Sequence, residues 1–155
     1  MCVYVVNGEA IGSEKFTYKL SWLNALHNYV TASLQQHEKF ALLGDFNIAP
    51  SDIDVYDPEL WDGKILCSAD ERDLWQKLLN LGLYDSYRLF HMEAKQYSWW
   101  DYRNFAFKRK QGLRIDHILI NDAVKKITTD CAIDTEPRKN ERPSDHAPVI
   151  ISLNH

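Results

Sequence analysis

The sequence lacks the features of a membrane-spanning or secreted protein. No run of roughly 18 apolar residues occurs in it, so no segment is predicted to cross a bilayer. No basic region followed by an apolar core opens the chain, so we find no secretion signal. The 3 cysteines are far apart and form no Cys-x-x-Cys pair. This argues against a disulfide framework or a zinc finger and favours a reducing cytoplasm.

Sequence motifs of several enzyme classes are also absent. There is no Walker loop and no Gly-x-Gly-x-x-Gly, so a nucleotide-binding fold is not indicated. Ser144 lies near His146, but no serine occupies a Gly-x-Ser-x-Gly elbow, and no cysteine lies in a catalytic motif. A net charge of −4 argues against a protein that grips nucleic acid by bulk charge alone, although a local basic face is compatible with it.

The composition is that of a globular protein with a single α/β domain. Hydrophobic residues make up 45% and charged residues 26% of the 155 positions, and this length fits one domain. Periodicity and turn signals predict strands and helices that mix along the chain. Strands are expected at residues 2–6, 40–43, 113–120, 127–133 and 149–153, and helices at residues 14–37 and 68–82. The strand at 40–43 is expected to be buried on both faces, and residues 47–67 to form a loop.

A carboxylate and a carboxamide, Asp45 and Asn47, follow the predicted strand at 40–43. If the strand continues, side chains two residues apart point the same way. Such a pair can bind a hard cation or position water and a phosphate oxygen. A Gly-Asp turn, with Asn47 as a helix cap, explains the same residues equally well.

A second acidic segment and an Asp-His pair complete a possible site. Asp116 lies in an apolar strand, where an unpaired carboxylate is costly, so we expect it to have a distant partner. His146 is that candidate, and we predict a hydrogen bond between the two, which would leave Asp145 free for metal. With Asp45 and Asn47 this makes an acid-rich site with one histidine, which suits a Mg²⁺-assisted attack of water on a phosphodiester. The alternative is a strand-edge Asp116 that faces water.

Aromatic and basic residues accompany these segments. Trp99 and Trp100 lie next to Arg103, and we expect one indole in the core and the other free to stack on a base or sugar. The sequence places 5 cations in this region, namely Arg103, Lys108, Arg109, Lys110 and Arg114. They would suit contacts with phosphates, although for the lysines alone a solvated loop is the better explanation.

Taken together, the segments resemble the exonuclease III family of abasic-site endonucleases, within the endonuclease/exonuclease/phosphatase superfamily. The order and spacing of the matching segments agree with that family over essentially the whole chain. The segments are Val3-Tyr4-Val5-Val6-Asn7-Gly8, Gly44-Asp45-Phe46-Asn47-Ile48-Ala49-Pro50, Tyr97-Ser98-Trp99-Trp100-Asp101-Tyr102-Arg103, Gly112-Leu113-Arg114-Ile115-Asp116 and Ser144-Asp145-His146-Ala147-Pro148. One departure is Val6, which replaces a proline that is usual in the family.

The resemblance implies roles for individual residues. The catalytic set would be Tyr4 near the scissile phosphate, Asp45 as the proton-handling carboxylate, Asn47 as its orienting partner, and Asp116 with His146 as the pair that binds the phosphate. The metal set would be Asp45, Asn47 and Asp145. The DNA contacts would be Asn7, Lys15, Trp99, Arg103 and Arg114, with Trp99 as a wall of the abasic-sugar pocket.

The reaction implied by the resemblance is Mg²⁺-dependent hydrolysis of double-stranded DNA on the 5′ side of an abasic site. Mn²⁺ is an alternative ion, and 3′-to-5′ exonuclease and 3′-phosphatase activities are family options at 3′ ends. The family also implies a bacterial cytoplasmic enzyme of DNA base excision repair. No membrane partner is expected.

The fold implied by the resemblance is a four-layer α/β/β/α sandwich of the DNase I-like type. We expect residues 1–155 to form a single, N-terminally truncated domain that contains mostly the second sheet with its outer helices. A glutamate metal ligand, which the family carries in a Gln-Glu-x-Lys segment, is absent from the sequence. Weak activity, and association with a missing half or with a second copy through an exposed sheet face, are therefore expected. The alternatives are a non-catalytic DNA-binding or interaction remnant and a phosphodiesterase with another substrate.

Overall fold

A computed structural model describes residues 1–154 and contains two sheets and four α-helices. The strands are β1 (Cys2–Tyr4), β2 (Ala41–Asp45), β3 (Tyr84–Asp85), β4 (Asp116–Ile120), β5 (Thr128–Ile133) and β6 (Val149–Leu153). The helices are α1 (Glu14–Gln36), α2 (Pro58–Trp61), α3 (Ala69–Leu79) and α4 (Asp122–Lys125). The predicted α/β class is confirmed. Among these helices none combines the length and hydrophobicity that a membrane span requires.

The larger sheet has the strand order β1-β2-β4-β3, with β1 parallel and β4 antiparallel to β2. Because side chains alternate along a strand, Leu42 and its partner Leu119 face one side of this sheet. Helices α1 and α3 cover that side, and the shared core is built from residues of both helices and the sheet. Its members include Val5, Leu23, Leu26, Val30, Leu42, Phe46, Leu74, Trp75, Leu78 and Leu119.

Both long helices begin at the caps that the sequence indicates. Ser13 precedes α1 and accepts a hydrogen bond from the Phe16 amide, while Ser68 and Glu71 form a reciprocal capping box before α3. After α3 the chain turns at Gly82, whose φ of 91° suits glycine. These local signals explain why the predicted and observed helix bounds agree closely.

The opposite side of the larger sheet is only partly covered. Residues of β6 and α4 pack on Ile118 and Ile120, which are both buried. On the neighbouring strand Leu43 remains 36% exposed, so the prediction that residues 40–43 are buried on both faces is wrong. The physical reason is that α1 and α3 cover one face only, while the β5–β6 hairpin reaches β4 rather than the centre of β2.

Two further predicted bounds differ from the structure. The ladder of β4 begins at Asp116, because Leu113 pairs only singly with Val55 and Trp99. Residues 47–67 are not wholly irregular, since they contain a 3₁₀ turn at Asp52–Asp54 and the short helix α2. Isolated bridges and short turns of this kind leave no periodic pattern in a sequence, so periodicity cannot predict them.

A buried ion pair joins α1 to α3. Lys19 and Glu71 are in direct contact, and the side chains of both are fully buried. Glu71 also accepts hydrogen bonds from the amides of Leu66 and Ser68 at 3.1 Å. Removing one partner of such a pair leaves an uncompensated charge in the interior, which is strongly destabilising.

We expect the substitution Lys19→Met to lower the free energy of unfolding by about 3–5 kcal/mol, because Glu71 loses its counter-charge. Urea unfolding followed by circular dichroism measures this difference. The matched control is Lys15→Met, since the Lys15 side chain is 72% exposed and pairs only with exposed Glu9. This control should change stability by no more than about 0.5 kcal/mol. Equal unfolding midpoints for the two variants would contradict the expectation.

Candidate active site

Three polar side chains line up across the ends of β1, β2 and β4. The register pairs Tyr4 with Asp45 and Asp45 with Asp116. Because paired residues point to the same side of a sheet, all three lie on the side away from α1 and α3. The sheet thus brings together residues that are more than a hundred positions apart in the sequence.

Gly44 permits the close approach of β1 to β2 beside this row. Its φ is +141°, and a Cβ at this position would lie 1.9 Å from the carbonyl oxygen of Val3. No other residue fits there without displacement of the backbone. The glycine before Asp45 is therefore a requirement for the alignment of Asp45 with Tyr4.

Asn47 holds the carboxylate of Asp45 in place. The Asn47 backbone amide donates to Asp45 Oδ1 at 2.8 Å, and its Nδ2 donates to Asp45 Oδ2 at 3.1 Å. Asn47 has a φ of 50°, a left-handed conformation that asparagine tolerates better than most residues. The turn that the sequence left open as one alternative is present directly after β2, while the role of the pair in binding a cation or a phosphate stays a prediction.

The predicted contact between Asp116 and His146 is confirmed. His146 Nδ1 lies 2.9 Å from Asp116 Oδ2, and the two side chains are 31% and 19% exposed. With Nδ1 directed at the carboxylate, the imidazole has a fixed orientation, and Nε2 is the nitrogen directed away from Asp116.

Ser98 ties the two partners of this contact together. Its Oγ accepts from the amides of Ile115 and Asp116, both at 3.0 Å. Its carbonyl oxygen accepts from the amide of Ala147 at 2.7 Å. Ser98 is fully buried, so its hydroxyl contacts these backbone amides and is not accessible to solvent. The sequence analysis missed this residue, although it stands inside the Tyr97–Arg103 segment.

Burial and neighbouring groups raise the pKa values of both Asp45 and His146 above those of free side chains. Burial, together with the charge of Asp116, raises the pKa of Asp45 to about 6, against the amide hydrogen bond from Asn47. Burial opposes protonation of His146, but its hydrogen bond to Asp116 and the surrounding carboxylates outweigh that effect and raise its pKa. Near neutral pH, Asp45 can therefore exchange a proton, and the positively charged form of His146 is favoured relative to a free imidazole.

Asp45, Asp116 and His146 are also the residues that could hold a metal ion. Each offers one ligand atom, and these atoms all lie within 4.8 Å of one another. Two like-charged carboxylates facing one another favour a bound cation, and oxygen ligands are those that Mg²⁺ prefers. A cavity of about 400 Å³ opens beside them, lined also by Ser144 and Ala147.

The structure does not bring Asp145 into this cluster. Its Oδ2 accepts from Trp99 Nε1 at 3.0 Å, so the carboxylate orients the indole. Asn47 meets Asp45 through its amide nitrogen, while its Oδ1 lies 3.4 Å from Asn7 Nδ2. Metal ligation by Asp145 and Asn47 stays a prediction.

Trp99 and Trp100 divide as expected into one accessible and one buried indole. Trp100 is 4% exposed and belongs to a small core with Tyr97 and Ala106. Trp99 lines a second cavity, of about 350 Å³, whose wall also contains Arg103. The roles of Trp99 as a sugar-pocket wall and of Tyr4, which is 64% exposed, remain predictions.

The prediction that Arg114 contacts DNA is wrong. Arg114 is 1% exposed, and its Nε donates to Asp54 at 2.6 Å. Its Nη2 donates to Asp85 at 2.7 Å, and Nη1 lies 3.0 Å from His117 Nδ1. A guanidinium that is enclosed and paired in this way has no surface to offer a phosphate.

The other residues predicted to contact DNA are accessible. The Arg103 side chain is 85% exposed and pairs with Asp101, and the Lys15 side chain is 72% exposed. Asn7 is also exposed, next to Asn47. Their contact with DNA stays a prediction.

The sequence analysis also missed Lys19, whose ammonium donates to the carbonyl oxygens of Asn47 at 2.7 Å and Asn7 at 3.1 Å. A signal was present, since Lys19 stands between Phe16 and Leu23 on the apolar face of α1, where a solvated lysine is out of place.

Comparison with known proteins identifies the class to which this fold and site belong. A sequence profile of the Endonuclease/Exonuclease/phosphatase family matches residues 4–146. The chain therefore belongs to the endonuclease/exonuclease/phosphatase family.

Individual relatives are nucleases. The chain is 35% identical to exodeoxyribonuclease III of Haemophilus influenzae, over 94% of this chain and 58% of that protein. It is 32% identical to an exodeoxyribonuclease of Bacillus subtilis, over 99% of this chain and 59% of that protein. The chain thus spans about three fifths of the length of these relatives.

Solved structures agree with the fold. A 3′ phosphatase from Neisseria, NExo, bound to its product DNA hairpin, shares 52% identity with a TM-score of 0.97, over 99% of this chain and 60% of that one. An AP endonuclease from Archaeoglobus fulgidus shares 35% identity with a TM-score of 0.94, over 99% and 60% of the two chains. The predicted membership of a DNase I-like α/β fold is thereby confirmed.

The contact between His146 and Asp116 leads to a prediction about protonation. Because the carboxylate accepts from Nδ1 and carries a negative charge, the substitution Asp116→Asn should lower the pKa of His146. NMR titration of the imidazole in metal-free protein measures the change. Glu141→Gln, an exposed carboxylate on the same loop, is the control and should leave the pKa nearly unchanged. An unaltered pKa in Asp116→Asn would mean that the hydrogen bond is not formed in solution.

Proposed function

We propose that this chain carries the phosphate-binding and proton-transfer residues of a DNA phosphoesterase that depends on a divalent cation. The observation that carries the proposal is the cluster of Asp45, Asp116 and His146, whose ligand atoms lie within 4.8 Å of one another beside an open cavity. Hydrolysis of a phosphate ester requires charge stabilisation at the phosphoryl oxygens and a group that moves a proton. The cluster offers both.

His146 is suited to bind the phosphate. Its Nδ1 is directed at Asp116, so Nε2 is available to donate to a phosphoryl oxygen. The raised pKa keeps the ring cationic over a wider pH range, which favours an anionic substrate. Asp116 does not touch the substrate in this scheme, because it orients the imidazole and stabilises its charge.

Asp45 is suited to move the proton. Its pKa of about 6 lies close to neutral pH, where a carboxylate can accept a proton from attacking water or return one to the leaving oxygen. Asn47 fixes both oxygens of this carboxylate with two hydrogen bonds.

The divalent ion would be held by carboxylate oxygens of this cluster. A bound Mg²⁺, or Mn²⁺ in its place, would supply positive charge for the phosphoryl oxygens. Asp45 and Asp116 are both candidate ligands, because the hydrogen bonds from Asn47 and His146 leave lone pairs on their carboxylate oxygens. The resemblance also assigns a glutamate ligand to a Gln-Glu-x-Lys segment that is absent from these 155 residues. We therefore expect turnover by this chain to be low.

The substrate we propose is double-stranded DNA, at 3′ ends and 5′ to abasic sites. Two solved structures of NExo from Neisseria support the first option, one described as a 3′ phosphatase and the other as a 3′-5′ exonuclease, and each is 52% identical to this chain. The cavity beside Trp99 supports the second option, since a small aromatic-walled space would admit a sugar that lacks its base more readily than an intact nucleotide.

Hydrolysis should depend on both the metal and His146. With protein in excess over a DNA hairpin that ends in a 3′-phosphate, we expect slow release of phosphate in Mg²⁺ and none in EDTA. The substitution His146→Gln should reduce the rate by about 100-fold or more, because a charged donor to the phosphoryl oxygen is lost.

The matched control is His37→Gln, which changes an exposed histidine at the end of α1. This control should retain the rate of the unaltered chain. Equal rates for His146→Gln and His37→Gln would overturn the proposal. If the chain binds the hairpin but releases no phosphate in Mg²⁺ or in Mn²⁺, a non-catalytic DNA-binding role replaces the proposed hydrolysis.

A second substrate, a duplex that contains one internal abasic site, tests whether the chain acts at abasic sites as well as at 3′ ends. Incision of this duplex is measured under the same conditions as release of the 3′-phosphate. We expect Trp99→Ala to reduce incision at the abasic site by at least about 10-fold more than release of the 3′-phosphate, because the indole walls the cavity for the sugar alone. Equal losses on both substrates would contradict a separate sugar pocket. Phe90→Ala, an exposed aromatic residue remote from that cavity wall, is the control.

A further inference from the structure

The backbone that follows Asp45 is held by side chains from three other elements. Three successive carbonyl oxygens each meet a side-chain nitrogen. The Asn47 carbonyl accepts from Lys19 Nζ at 2.7 Å, the Ile48 carbonyl lies 2.9 Å from His117 Nε2, and the Ala49 carbonyl accepts from Arg72 Nε at 3.1 Å. Fixed carbonyls at three consecutive positions leave the segment little conformational freedom.

Lys19 is the most constrained of these three side chains. It is fully buried, and its ammonium meets Glu71, the Asn47 carbonyl and the Asn7 carbonyl. An ammonium has three donors, so every one of them is used. One side chain therefore connects α1, α3 and the two segments that follow β1 and β2.

A buried lysine is a costly way to hold a helix to a core. Apolar side chains in place of both Lys19 and Glu71 would pack the helices without the cost of desolvating two charges, and such replacements of a whole buried pair are often neutral or stabilising. The charge thus has a role that packing does not explain, and the backbone carbonyl of Asn47 is the contact that lies nearest to the candidate site.

The route from Lys19 to the reacting group is short. Lys19 fixes the Asn47 carbonyl, and Asn47 adopts a left-handed φ of 50°. In this conformation its amide and Nδ2 donate to the two oxygens of Asp45, at 2.8 Å and 3.1 Å. The same Nδ2 also donates to the Val5 carbonyl at 2.9 Å, which ties the end of β1 to the arrangement.

We propose that Lys19 is a positioning residue for Asp45 and acts through the backbone of Asn47. This proposal rests on the proposed phosphoesterase function, since Asp45 is the group that moves the proton there. Lys19 itself touches neither substrate nor metal. Its contribution is to hold the left-handed backbone of Asn47 in the conformation from which Asn47 orients the carboxylate.

The test compares Lys19→Met with Leu78→Ala, a variant of a fully buried core residue of α3 that lies outside the segment after Asp45. Both variants lose stability, but only Lys19→Met should misplace Asp45. In conditions where circular dichroism finds both folded, Lys19→Met should lower kcat on the 3′-phosphate hairpin by about 10- to 100-fold and leave KM within about 2-fold. Leu78→Ala should retain both constants. Equal kinetic losses in the two variants would overturn the proposal.

A second measurement does not depend on turnover. In the unaltered chain, the side-chain amide of Asn47 should give a distinct NMR signal with slow hydrogen exchange, because Nδ2 donates to Asp45 and Val5. Lys19→Met should accelerate that exchange, whereas Leu78→Ala should not do so beyond its effect on other amides. This result can support positioning even if the chain releases no phosphate. Unchanged exchange in Lys19→Met would refute it.

Lys19→Gln is the substitute variant if Lys19→Met does not fold. Its amide retains two donors and removes the charge, so it can keep only part of the contacts with Asn47, Asn7 and Glu71. The same acceleration of exchange at Asn47 is expected, to a smaller degree. Exchange as slow as in the unaltered chain would again overturn the proposal.

Discussion

The register of β2 between β1 and β4 is the constraint on which the candidate site depends. It sets Asp45 opposite Tyr4 on one side and opposite Asp116 on the other. A shift by one residue in either pairing would turn the partner to the helix-covered face, because side chains alternate along a strand. Gly44 is part of the same constraint, since a Cβ there would collide with the Val3 carbonyl. The backbone geometry of the sheet thus determines which side chains meet at the candidate site.

Buried charges on the helix side secure the segments that the sheet leaves free. Lys19 and Glu71 hold the segments after β1, β2 and α2. Arg114, paired with Asp54 and Asp85, contacts His117, which in turn reaches the Ile48 carbonyl. Burial lowers the pKa of His117 to about 4, so near neutral pH the ring is uncharged and can accept from Arg114 through Nδ1. These contacts fix polar backbone groups in loops whose apolar residues, such as Phe46, Ile48 and Leu66, already lie in the hydrophobic cores.

The sequence predicted those parts of the site that follow from local rules. Asp116 interrupts an apolar strand, and the cost of an unpaired carboxylate there indicated a partner, which is His146. The bounds of α1 and α3 followed from their caps and periodicity. The burial of Arg114 could not be predicted from such rules. Its partners Asp54 and Asp85 lie 60 and 29 positions away, and no local pattern indicates them. The role of Ser98 was missed for the same reason, because Ser98 acts through hydrogen bonds with the backbone of two distant segments, at Asp116 and at Ala147.

The distribution of these charges bears on whether the site is catalytic. A surface that only binds DNA requires accessible cations, and a fully buried lysine or arginine contributes nothing to such contacts. Here buried Lys19 fixes the carbonyl of Asn47, which in turn holds the carboxylate of Asp45. Precise placement of a carboxylate has value chiefly where a proton or metal ion must meet it. A raised pKa at Asp45, which costs stability at neutral pH, points the same way. The buried charge at Lys19 and the raised pKa of Asp45 therefore both agree with the proposed hydrolytic function, whereas DNA binding alone would require neither.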